Sequence, residues 1–140
     1  MNYKIVSKYI KDISFEIPSA EIFTFLDKEI SQYTVKCDIK SNRFKKNIIE
    51  VSTILKLIPS VNLKRKILAE INMSALVQLE GDLNDKEALE KVILVDVPSD
   101  IYPFLYETFI FLFSKSGIEN INIEKNVDFK KLYQENKKNI

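Results

Sequence analysis

Three segments rich in Val, Ile, Leu and Thr follow one another closely: Tyr33 to Ser41, Asn47 to Ile58 and Lys64 to Leu79. Asn42 to Lys46 and Pro59 to Asn62 read as the turns between them. Connections this short constrain the fold more than any other feature of the chain. Parallel neighbours need a crossover of about a dozen residues or more, so the segments are expected to run as an antiparallel meander. A further strand precedes them between Ile5 and Ile17. Its clearest part, Asp12-Ile13-Ser14-Phe15-Glu16-Ile17, alternates polar and apolar residues with the period of a half-buried strand. Ile13, Phe15 and Ile17 are expected on the core face, and Asp12, Ser14 and Glu16 on the other. Pro18 ends the strand. The expected fold is α+β, a four-stranded antiparallel sheet with C-terminal helices packed on one face.

Between the first two strands, Ser19 to Ser31 carries Ile22, Phe23, Phe25, Leu26 and Ile30 without a clean period. It reads as a loop or short helix, and a loop this apolar must cover something or bind something. Asn84 to Val95 reads as a short helix or a further extended piece. Ser99 is a candidate N-cap for a helix from about Asp100 to Lys115, with Pro103 in its first turn and Gly117 just past its end. Six aromatics fall between residues 102 and 113: Tyr102, Phe104, Tyr106, Phe109, Phe111 and Phe113. An amphipathic helix needs one apolar stripe, so this one must be covered on several sides by its own sheet, a second subunit or a bound peptide. A last helix is expected from Asp128 to about Lys138, with Phe129, Leu132 and Tyr133 on one face.

Composition removes whole classes of function. The 140 residues fit a single domain, and 21 basic against 20 acidic residues leave a net charge of +1, without the footprint of nucleic-acid binding. Histidine is absent, which removes the usual general base and commonest metal ligand. With two glycines in the chain there is no phosphate-cradling loop. No catalytic residue, cofactor or metal site is expected. The single cysteine, Cys37, reads as a packed structural thiol in a reducing compartment, the cytoplasm. The N-terminus does not read as a signal peptide. Val92 to Phe113 is interrupted by Asp96, Pro98, Asp100, Pro103 and Glu107 and fails as a membrane span.

The segment Tyr9-Ile10-Lys11-Asp12-Ile13-Ser14-Phe15-Glu16-Ile17-Pro18 resembles the first-strand signature of the SecB family. Pro98, Tyr102-Pro103-Phe104, Glu107, Gly117, Asn122, Val127, Asp128 and Phe129 resemble that family's helix, glycine turn and closing helix. Ile67-Leu68-Ala69-Glu70-Ile71 resembles its last sheet strand, so the resemblance spans nearly the whole chain. It implies a homotetramer, a dimer of dimers, that holds unfolded or precursor polypeptides without ATP and delivers them to the translocase motor SecA.

From the residues themselves, Phe23, Phe25, Leu26 and Ile30, with Phe109 and Phe113 of the aromatic helix, are candidate client-binding positions. The resemblance places Asp12, Glu16 and Glu70 in an acidic patch that contacts SecA, and Leu68, Ala69 and Ile71 in the subunit interface, to which Tyr106 is added. The chain departs from the family in its neutral charge, its lysine-rich C-terminus, and Tyr106 and Ser116 where the family often has Arg. These departures motivate a second reading, a SecB-like chaperone dedicated to one partner such as an antitoxin. A scaffold subunit that keeps the fold without binding clients is a third.

Overall fold

The computed structural model describes residues 1–60 and 62–138. β1 (Asn2–Glu16), β2 (Tyr33–Lys45), β3 (Ile48–Pro59) and β4 (Leu68–Glu80) form one antiparallel sheet in the order β1-β4-β3-β2. The meander holds for β2, β3 and β4. β1 pairs with β4 rather than with β2, because the stretch 17–32 is long enough to carry the chain from one edge of the sheet to the other. That stretch contains α1 (Ile22–Glu29) and a 3₁₀ turn (Ile30–Gln32). β2 runs past its expected end at Ser41: Lys45 pairs with Ile48, so the turn shrinks to Lys46-Asn47, and a bulge leaves Phe44 out of the ladder.

From Lys86 to Lys115 the chain forms one nearly continuous helix. Asp85 caps α2 (Lys86–Lys91) by accepting a hydrogen bond from the Ala88 N–H at 3.2 Å. A π-helical segment (Val92–Asp96) then leads directly into α3 (Val97–Lys115). Ser99 is therefore not an N-cap. It lies inside the helix and its hydroxyl donates back to the Val95 carbonyl. Proline was expected to mark a helix start here, but the wider π turn ahead of Pro98 accommodates a residue without an N–H. α3 ends at Gly117, whose φ of +80° is the left-handed conformation that closes a helix. α4 (Phe129–Lys138) begins on Asp128, whose carboxylate accepts from the Lys131 N–H at 3.0 Å.

The core lies between one face of the sheet and α3. Val51, Leu55, Ile71, Ala75 and Val77 of the central strands meet Val97, Ile101, Leu105, Phe109 and Phe113, a stripe advancing four residues at a time. Phe113 packs edge-to-face on Phe109 at 5.0 Å between ring centres and on Phe15 at 5.2 Å. The hydroxyl oxygen of Thr53, wholly buried on β3, has no hydrogen-bond partner. Among the described residues no helix is long and apolar enough to cross a membrane.

The register confirms the alternation read in β1. Ile13 opposes Ile71 and Phe15 opposes Ala69 on the helix side, while Asp12, Ser14 and Glu16 oppose Asn72, Glu70 and Leu68 on the open side. Ile13 still exposes 40% of its surface, because β1 is an edge strand.

Candidate functional site

An open groove of about 700 Å³ runs along the helix-side face of edge strand β2. Val35 and Cys37 form one wall by the alternation of the strand, Ile30 closes one end, and Leu55 and Tyr102 form the floor. The opposite wall is the irregular segment 118–128, which contributes Ile121, Ile123 and Val127. Buried Ile118, Ile123 and Phe129 pin that segment, and the Tyr102 hydroxyl donates to the Glu124 carbonyl. A second opening of about 310 Å³ shares Cys37 and Leu132 with the first and continues between Ile39 and Phe129, Leu132 and Tyr133 of α4. The two together make an elongated, mostly apolar trough beside an edge strand. Its shape suits an extended chain more than a compact small molecule.

Two ionisable groups in the trough, Cys37 and Tyr102, are held neutral. Burial, with a smaller contribution from Asp38, pushes the Cys37 thiol up to about 11. Burial also pushes Tyr102 up to about 12, with Cys37, Glu124 and Tyr106 adding to the shift. A thiol this protonated is a weak nucleophile, which fits packing rather than chemistry. Among the described residues no three His, Cys, Asp or Glu side chains are placed to hold a metal ion.

The expected client-binding residues divide. Ile30 lines the trough, and Leu26 lies beside it in a small cleft against Gly117 and Ile118. Phe23 and Phe25 are not in a loop: they sit on α1, where Ile22 faces the core and Leu26 and Ile30 are partly buried one turn apart, leaving the two rings 45% and 44% exposed. The Phe23 ring stands 3.7 Å from where a side chain on Gly117 would begin. Phe109 and Phe113 must be corrected. Both are completely buried between α3 and the sheet, so they are core and form no open wall. The trough residues missed in the sequence were Val35, Ile121, Ile123 and Val127; for the last three one signal was available, apolar residues scattered without a helical period through the otherwise polar segment 118–127.

The expected interface residues also divide. Leu68 is 52% exposed on the open face, but Ala69 and Ile71 are buried beneath the chain's own helices, which leaves them no surface to offer another subunit. Tyr106 is half-buried beside Tyr102, with ring centres 6.4 Å apart. The large apolar side chains that α3 and β1 leave exposed are instead Phe104, Phe111, Val6, Ile10 and Ile13, with the Lys8 ammonium 4.3 Å above the Phe104 ring.

On the open face Asp12, Glu16 and Glu70 share one side, as expected, but they are not alone. Lys56 directly opposes Glu70, and Lys36 directly opposes Lys56. In the middle of this face Tyr9 donates to the Glu50 carboxylate, and Lys11 pairs with it at 2.7 Å. Lys11 and Tyr9 hold the Glu50 carboxyl below its ordinary value, while burial and the Glu50 hydrogen bond raise Tyr9 to about 12.

A four-stranded antiparallel sheet, helices on one face and an apolar trough at the sheet edge together define a SecB-like chaperone fold. The Mycobacterium tuberculosis Rv1957 SecB-like chaperone, solved in complex with a ChAD peptide from the Rv1956 HigA1 antitoxin, shares it with a TM-score of 0.59 and 13% identity, over 87% of this chain and 89% of that one. The family described as "Preprotein translocase subunit SecB" matches residues 1–140, and the chain belongs to this family of protein-export chaperones. It is 40% identical over 134 residues to the putative protein-export protein SecB of Pelagibacter ubique, covering 96% of both chains. It is 26% identical to the protein-export protein SecB of Aromatoleum aromaticum, covering 94% of this chain and 81% of that one.

Proposed function

We propose that this chain is a non-enzymatic, ATP-independent holdase of the cytoplasm that binds unfolded and precursor polypeptides in the trough along β2. The observation that carries this reading is the trough itself: an open, elongated, mostly apolar surface beside an edge strand. Ile30, Val35, Ile121 and Val127 supply apolar contacts, and Phe23, Phe25 and Leu26 extend the surface from α1. Each contact is weak and none is specific, so affinity accumulates along the client. The decisive assay is suppression of aggregation of a chemically denatured client. Wild type should suppress it at near-stoichiometric ratios, and Val35→Asp combined with Ile121→Asp should lose most of that capacity while remaining folded. Equal suppression by the double variant would remove the trough from the mechanism.

Asp12, Glu16 and Glu70 are proposed as the docking patch for SecA. A second reading, service to one dedicated partner such as an antitoxin, is favoured by Lys56 and Lys36, which place positive charge against that patch. The homotetramer is proposed to form through the apolar stripe of Phe104 and Phe111 on α3 with Ile10 and Ile13 on β1, rather than through Ala69 and Ile71.

A further inference from the structure

The hairpin between β2 and β3 lies outside both the trough and the apolar stripe, and it carries a combination that neither explains. The ladder pairs Arg43 with Ile49 and Lys45 with Ile48, skipping Phe44. A bulge of this kind re-aims a side chain, and Phe44 is 59% exposed, more than any other large apolar residue among those described. Ile48 and Ile49 point to opposite faces of the sheet, so Arg43 and Lys45 flank the ring on both sides, and the Lys45 ammonium lies 5.5 Å from its centre. Lys46 occupies the turn, and none of the three cations is ion-paired among the described residues. Lys4 adds a fourth on the open face, in the same cross-strand row as Gln78, Ile48 and Lys45. Glu80 and Asp82, at the same end of the sheet, are outnumbered.

Lysines on an edge strand are a common guard against sheet-to-sheet aggregation. That explains the charges but not the phenylalanine, because a guard gains nothing from an extruded aromatic ring. An apolar side chain ringed by unpaired cations matches an anionic lipid surface, where the ring enters the interfacial region and the cations meet the headgroups. An acidic peptide fits less well, since neither opening along β2 reaches the hairpin and its tip offers no walls to hold a chain. We propose that the β2–β3 hairpin is a peripheral docking site for anionic membrane surfaces, with Phe44 as the apolar anchor and Arg43, Lys45 and Lys46 as the electrostatic contacts.

The test is flotation of the full-length protein with phosphatidylglycerol vesicles and with phosphatidylcholine vesicles. Wild type should float with the anionic vesicles only, and raising the salt should release it. Arg43→Ser, Lys45→Ser and Lys46→Ser combined should weaken binding on the order of a hundredfold at low salt. Phe44→Ser should weaken it several-fold, and both variants should still suppress client aggregation. Failure of wild type to float with anionic vesicles would overturn the proposal, as would equal flotation of the triple variant. So would binding of poly-glutamate, but not of vesicles, that the triple variant loses.

Discussion

At the scale of single residues, burial decides which aromatic side chains serve stability and which serve contact. Phe109 is fully buried and stacks edge-on against Phe113. Phe109→Ala should therefore cost about 3 to 5 kcal/mol of folding stability, seen as a drop in the denaturation midpoint rather than as a selective loss of client binding. Thr53 points the other way. Its buried hydroxyl has no partner, so Thr53→Val removes an uncompensated desolvation cost and should raise stability by about 1 kcal/mol, or several degrees in Tm for a domain of this size. Glu50 supplies a pH dependence. Its carboxyl is held below the ordinary value of 4.5, chiefly by Lys11 and then by Tyr9. A depressed folded-state value means that the stabilisation is fully present above the unfolded value and is lost as pH falls through the folded one. Denaturation below pH 4.5 should be shallower in Glu50→Gln than in wild type, while the two curves stay parallel near neutrality.

At the scale of elements, the sheet was legible because its strands announce themselves locally. The alternation of Asp12 to Ile17 fixed the faces of β1, and the short turns fixed the order of β2, β3 and β4. Three features were not legible because they depend on geometry that local sequence pattern does not show. The place of β1 beside β4 is set by the long connection through α1. The continuity of α2 with α3 is set by the π turn that receives Pro98, where proline suggested a new start. The roles of Phe109 and Phe113 are set by which side of a helix apolar nearly all round meets the sheet, and periodicity does not show that. The candidate site was half legible: Leu26 and Ile30 stood out as apolar residues in a short connection, whereas the far wall, Ile121 to Val127, has no helical or strand period to mark it as a surface. Gly117 ties these elements together, since its positive φ turns the chain from α3 into that wall. Gly117→Ala should cost roughly 1 to 2 kcal/mol through backbone strain, and it should loosen the trough, visible as faster hydrogen exchange in segment 118–128.

At the scale of the whole molecule, the chain keeps three surfaces apart. The trough lies along β2, the charged face covers the far side of the sheet, and the exposed stripe of Phe104, Phe111, Ile10 and Ile13 lies at the β1 edge. Under the proposed function, separate surfaces would let the chain associate, hold a client and meet a partner without competition. If the stripe joins subunits, Phe104→Asp with Phe111→Asp should reduce the mass measured by light scattering to that of a smaller species while the fold, followed by circular dichroism, is retained. An unchanged mass would place the contact elsewhere.

The most direct test of the trough as the client site uses its own cysteine. Cys37 is the only thiol in the chain and lies where the two openings meet. Its alkylation rate can be followed by mass spectrometry at alkaline pH with and without a saturating, cysteine-free unfolded polypeptide. Occupancy of the trough predicts a severalfold slowing by the unfolded chain and none by the same polypeptide when folded. An unchanged rate, with the client shown to be bound by fluorescence anisotropy, would contradict the account.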